Sequence, residues 1–309
     1  MKQFIVFCML AIFSVPAMAD ELSDARELYN VAKNVCAGVP QELAKVSGVS
    51  VANTVVGAAG TAVSGGALAV GIAKKDVDAQ INTLVQEMCE AGACDADGVL
   101  NMNNDDFKAG VIVPMSKMAV LINQAKKAEK LGNWRTGLMG GTIATNLANS
   151  ILSGINRNQS ELIQQIQACN SAVAMLVPYK QKLIAAGINP MQEPLVKKID
   201  GIATWCSPLD ITDVEKIERR MTAVMGTGIA GAAIGVAGTA TSAAANSEKN
   251  RIFTTDETEL QKRNNLNVAS NVLAGANVAT GAVETGLGIS LINLSKKMIK
   301  QAELCVEAF

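Results

Sequence analysis

The sequence predicts an all-α protein: an elongated bundle of long antiparallel helices with Gly/Ala-rich close-packed segments, stabilised by disulfides. Three observations carry this. Hydrophobic residues make up 49% of the chain and aromatics only 3%, so the apolar mass is Ala, Val, Ile, Leu and Met, which suits helix-on-helix packing. Strand-like alternation is sparse. Four long stretches, 46–73, 136–156, 221–247 and 264–283, carry no charge yet are built from Gly, Ala, Thr, Ser and Asn rather than Leu and Phe.

Taken in order, the chain opens with an export-signal pattern. Lys2 supplies the positive start, Phe4 to Val15 the apolar run, and Ala17-Met18-Ala19 a small-residue cleavage site. The expected organisation is a signal peptide over 1–19 and a single helical domain over 20–309, with 20–130 and 131–309 as sub-units. Asp24 to Cys36 has helical periodicity through Leu28, Val31, Ala32 and Val35. Pro40 stands at the entrance of a long helical pattern reaching about Met88. A turn-rich acidic segment, Glu90 to Asp106, precedes a helix over about 107–130 that Asp105 or Asp106 can cap. Gly132-Asn133 reads as a break, followed by a helix from Trp134 to about Ala186. Gly187-Ile188-Asn189-Pro190 stops that helix and Pro194 restarts one. Trp205-Cys206-Ser207-Pro208 ends it, and Asp210 or Thr212 caps a pattern through Asn246. A polar connection over 251–258 leads to the last helix. Such helices, roughly 30–50 residues long, span about 45–75 Å.

Cleavage after Ala19 leaves six cysteines: Cys36, Cys89, Cys94, Cys169, Cys206 and Cys305. An even count in an exported chain points to disulfides. If the helices flanking 187–190 fold back on each other, Cys169 and Cys206 fall opposite, which predicts that pair. Cys89 and Cys94 can close a small loop, and Cys36–Cys305 follows by elimination.

Interior glycine costs a helix about 1 kcal/mol relative to alanine, so repeated glycine demands compensation. Small residues recur at four-residue steps: Gly57, Thr61, Gly65, Ala69 and Ala73; then Gly137, Gly141 and Thr145; then Thr227, Gly231, Gly235 and Thr239. Such a row is a ridge stripped of bulk against which a second helix can sit, with Gly57, Gly65, Gly137, Gly141, Gly231 and Gly235 as the packing positions. These runs resemble the glycine-zipper helices of some envelope and pore-forming proteins. That resemblance implies membrane insertion, as a multi-span envelope component or a secreted pore former. Against insertion stand the many Asn, Ser and Thr residues, the low Leu and Phe content, and Glu284 at the end of the last run. The balance favours a water-soluble bundle.

Histidine is absent, which removes Ser-His-Asp and Cys-His catalysis and His metal sites. Gly226-x-Gly228-x-x-Gly231 matches a dinucleotide fingerprint but follows a helical pattern, not a strand. Asp95-Ala96-Asp97-Gly98 begins like a calcium loop and then fails at the required glycine, where Leu100 stands. Glu215 and Glu218 sit beside Lys216 and Arg219, as on a solvated helix face. Trp134 reads as a buried residue at a helix junction, with an interface anchor as the sharper alternative. The 26 basic and 28 acidic side chains left after loss of Lys2 form no basic stripe, so nucleic acid is not an expected partner. The expectation is an exported, non-enzymatic envelope structural or interaction protein with no cofactor or metal, acting on a protein partner or on itself, with membrane insertion as the alternative.

Overall fold

The computed structural model describes residues 21–101, 114–247 and 253–309. The signal pattern, the Asp105/Asp106 cap and the start of the helix expected at 107 lie outside them. The fold is all-α. Helix α1 covers 21–37 and is followed by α2 (Val39–Glu90), α3 (Met115–Asn156), α4 (Ser160–Leu176), α5 (Tyr179–Ala185), α6 (Pro194–Trp205), α7 (Ile211–Ala245) and α8 (Glu257–Glu307). Among the described residues only two isolated bridges, Cys94 with Leu100 and Val99 with Thr254, represent extended pairing.

Local chemistry explains the element ends. Gly187 adopts φ +86°, and the amides of Gly187 and Ile188 bond back to Ile184 and Leu183 at 3.0 Å, closing α5 with a left-handed glycine. Glu193 caps α6 by accepting from the Leu195 amide at 3.3 Å, and Pro194 takes the first helical position. Asp210 caps α7, accepting from the Thr212 amide at 2.9 Å. The Asp95 carboxylate accepts from the amides of Asp97 and Val99 at 3.1 and 2.8 Å, so it organises a turn around Gly98.

Two breaks differ from expectation. Helix α3 runs unbroken through Gly132 and Asn133. A side chain at Gly132 would strike Asn246 just past the end of α7, so the missing Cβ serves close approach, not chain termination. Conversely, the helix expected from Trp134 to Ala186 is interrupted at 157–159 and again at 177–178. The second break follows from Pro178, which has no amide to continue the helix.

The chain divides into two compact units. Unit 1 comprises the described residues through Ala52, Gly154–Thr222 and Ile289–Phe309; unit 2 comprises Asn53–Ser153 and Ala223–Gly288. Neither coincides with 20–130 or 131–309. The interior of unit 1 is conventional, with Leu43, Ile166, Leu176, Leu183, Ile199, Ile202, Ile217 and Met221 all fully buried. It holds two disulfides, Cys36–Cys169 and Cys206–Cys305, while Cys89–Cys94 closes the end of α2 in unit 2.

The expected pairs Cys169–Cys206 and Cys36–Cys305 are therefore corrected. The reflection that produced them required two continuous helices around one turn. Instead Cys169 sits midway along the short α4 and meets Cys36 in the last turn of α1, while Cys206 ends α6 and meets Cys305 near the end of α8. The Cys36, Cys169 and Cys305 sulfurs all lie within 4.8 Å of one another, so proximity alone allowed several pairings.

Candidate functional site

The candidate site is the interior of unit 2, and it arises from a seven-residue repeat. Buried positions on α8 fall at 267, 270, 274, 277, 281, 284 and 288, alternating steps of three and four. Those on α2 fall at 53, 57, 60, 64, 67, 71 and 74, and those on α7 at 224, 228, 231, 235, 238 and 242, with Ala232 buried beside them. This is the seam of a coiled coil, yet small and polar side chains occupy most of it in place of Leu and Ile. The four-residue ridge read from the sequence captures only half of it.

The glycines divide accordingly. A Cβ on Gly57 would lie 3.1 Å from the Thr285 amide, one on Gly141 3.2 Å from Val63, and one on Gly235 2.9 Å from both Ile143 and Thr142. Gly231 faces Asn146 as closely. Gly65 and Gly137 meet nothing within 4 Å and are not close-packing positions. Gly60, Gly228, Gly238, Gly281 and Gly288 are. The three-four alternation would have found them.

Close approach brings polar groups together along the middle of unit 2. At one end Lys74 donates to Asp78 at 2.7 Å, Asn267 donates to the same carboxylate at 3.0 Å, and Arg135 donates to the Asn267 carbonyl at 3.2 Å and to Asn271. Further along, the Thr142 hydroxyl and the Asn277 amide lie 3.2 Å apart. Asn149 then donates to Glu284, and Asn53 donates to Ser153 at 3.0 Å. The first, second and third of these groups join α3 to α8, and residue numbers rise together on both helices. All of these side chains except Asp78 and Asn271 are buried.

The outer face is the reverse. Over 53–73 of α2, 134–153 of α3, 223–245 of α7 and 268–288 of α8, every exposed residue is Ala, Gly, Val, Ile, Leu or Trp. Val55, Ile72, Leu147, Ile151, Ile229, Val236, Val272 and Val283 all point outward, between 45% and 65% exposed. The threonines beside the seam bond to their own helices: Thr61 to the Gly57 carbonyl at 3.0 Å, Thr239 to Gly235 at 2.8 Å and Thr285 to Gly281 at 2.8 Å. Trp134 is 62% exposed at the rim of this surface, not buried at a junction.

Among the described residues, three helical stretches are long and apolar enough to cross a membrane by length and composition: Glu21–Glu90, which joins α1 and α2, Ile211–Ala245 and Glu257–Glu307. Only 28%, 39% and 28% of their respective apolar windows is buried. Helix α3 falls outside this set because it contributes Arg135, Thr142, Asn146, Asn149, Ser150 and Ser153 to the interior.

The three clustered cysteine sulfurs are all in disulfides, leaving no thiolate there to ligate a metal. The glycine fingerprint 226–231 lies within α7. Buried Asp213 accepts from Lys216 at 2.7 Å and Lys297 at 3.3 Å, and chiefly the Lys216 hydrogen bond, helped by Lys297, holds its carboxyl below the usual carboxylate range. Glu215 is exposed on α7 and Glu218 half-buried one turn on. No family model matches the chain, and neither curated proteins nor solved structures yield a match.

Proposed function

We propose that this is an exported, non-enzymatic envelope protein that acts by contact, and that unit 2 sits in a lipid bilayer with its apolar belt against hydrocarbon. The observation that carries this is the reversed polarity of unit 2. Asn, Ser and Thr weigh against insertion only while they face outward; here they face each other or their own backbone. In water an unbroken apolar exterior around a polar interior wastes the burial that drives folding. In a bilayer the same arrangement is the stable one, since helix association there rests on close van der Waals packing, small residues and interhelical hydrogen bonds. The belt segments of about 21 residues rise about 31 Å, close to the roughly 30 Å hydrocarbon core. Trp134 at the rim suits the headgroup boundary. The disulfides fit an oxidising, exported environment.

A second reading, a water-soluble interaction protein, is favoured by unit 1, whose apolar interior needs no lipid. In that case a protein partner or further copies of the chain cover the belt. Vesicle flotation with the oxidised full chain separates the two. Insertion predicts that the protein floats and stays with the lipid after carbonate washing. A monodisperse, detergent-free soluble species that fails to float would refute it.

A further inference from the structure

We propose that Glu284 and Asn149 form a binding site for one monovalent cation, a proton or an alkali ion, inside unit 2. Glu284 is 1% exposed and Asn149 fully buried. One carboxylate oxygen of Glu284 accepts from the Asn149 amide, which leaves Glu284 Oε1 and Asn149 Oδ1 buried without a donor. One turn away on α2, Asn53 donates to Ser153 and its Oδ1 is equally unmet. Three acceptors from three helices thus lie in neighbouring layers.

A buried acceptor without a partner is costly, and a buried carboxylate more so. No cation among the described residues pairs with Glu284: Arg220 of α7, the nearest one bonded to α8, donates to the Ser290 carbonyl, six residues or about 9 Å further along the helix. The facing stretches 46–73 of α2, 136–156 of α3 and 221–247 of α7 contain no titratable side chain, and on α8 itself the nearest charges in sequence are Arg263 and Lys296. Arg135 lies 14 residues before Asn149 on α3, about 21 Å along the helix. Among the described residues Glu284 has no ion-pair partner.

The chemistry selects the occupant. The three unmet atoms named are oxygens and bring one formal negative charge, which one monovalent cation neutralises; the unmet Asn146 Nδ2, one turn back on α3, is a neutral donor and adds no charge. A divalent ion would keep a net positive charge beside a single carboxylate, and its sites usually supply more than one. Gly57 lets α2 close on this pair, since a Cβ there would lie 3.2 Å from the Glu284 Cβ. The site depends on the bundle interior alone and holds with or without a bilayer, so failed flotation leaves it standing and a flat cation response leaves the membrane proposal standing.

The test is thermal unfolding of the purified full chain in sodium, potassium and choline chloride at matched ionic strength, across a descending pH series. An alkali-ion site raises the melting temperature by several degrees when sodium or potassium replaces choline. A proton site gives the same rise as pH falls, whatever the salt. Glu284→Gln, nearly isosteric and neutral, should abolish whichever response the parent shows. Equal responses in parent and variant, or none in the parent, overturn the proposal. Should Glu284→Gln fail to fold, Asn149→Leu decides. It keeps the carboxyl but removes the amide oxygen, so an unchanged response relative to the parent overturns the site.

Discussion

Units 1 and 2 share helices and share a repeat, yet their interiors are opposites. Along α7 the seam runs Val214, Ile217, Met221 and Val224, then changes to Gly228, Gly231, Gly235, Gly238 and Ser242. Along α8 it changes from Asn267, Ser270, Ala274 and Asn277 to Leu291, Ser295, Met298 and Ala302. Phase is conserved while content switches. Periodicity therefore fixes which face is inside, and residue size and polarity decide what kind of inside it is. In unit 1 the interior gains by leaving water; in unit 2 it gains by close contact and hydrogen bonding.

The contrast can be broken most forcefully at the glycine seam. Gly231→Leu combined with Gly235→Leu should cost about 2–6 kcal/mol by overpacking, since each site has a neighbour inside Cβ contact distance. Chemical denaturation checks it, and a parent-like midpoint would remove close helix approach as the organising force of unit 2. Next comes Ile166→Ala in unit 1, fully buried, with an expected loss of about 2–5 kcal/mol. Its counterpart Ile229→Ala, 55% exposed on unit 2, should cost less than about 0.5 kcal/mol in water. Equal losses at the two positions would mean that the outer face of unit 2 is covered in solution.

Val236→Lys sharpens the question of what covers it. Position 236 is 56% exposed, so in water the change should stay within about 0.5 kcal/mol. Against hydrocarbon it should cost about 2.5–3.5 kcal/mol at the helix centre and reduce recovery in the floated fraction.

The smallest effect belongs to unit 1 and to pH. Because Lys216 and Lys297 hold the Asp213 pKa below its unfolded value, their contribution is present above about pH 4. It is lost as pH falls through the lowered folded-state value. Parent should exceed Asp213→Asn by on the order of 1 kcal/mol at neutral pH, with the lysine partners exposed and screened. The gap should close in acid, and a gap that persists there would mean Asp213 acts through packing, not charge.

Much of the fold was legible because charge-free runs and helix stops are local signals. Gly187, Pro194 and Asp210 each do what their backbone chemistry dictates. Less legible was the break at 157–159, where Arg157-Asn158-Gln159 contains neither Gly nor Pro. The cysteine pairing in unit 1 was not legible at all, since it depends on how short helices pack and three sulfurs crowd together. The seam was visible in principle. Counting in fours picked Gly65 and Gly137 and missed Gly60 and Gly228, because a helix pair in continuous contact repeats every 3.5 residues, not every four. Asn149 and Asn277 lowered the apparent hydropathy of their runs for the same reason they matter: each is placed to meet a polar partner on the facing helix, Glu284 and Thr142 respectively.

Helix α2 has an oxidised cysteine just ahead of it and another in its last turn, Cys36 and Cys89. If a bilayer surrounds its middle, both sides of that bilayer see a sulfur–sulfur bond. A plasma membrane backed by thiol-rich cytosol would leave one of them reduced. Residence must then be in a membrane that divides two thiol-poor spaces, or the chain must finish its oxidation before it enters lipid.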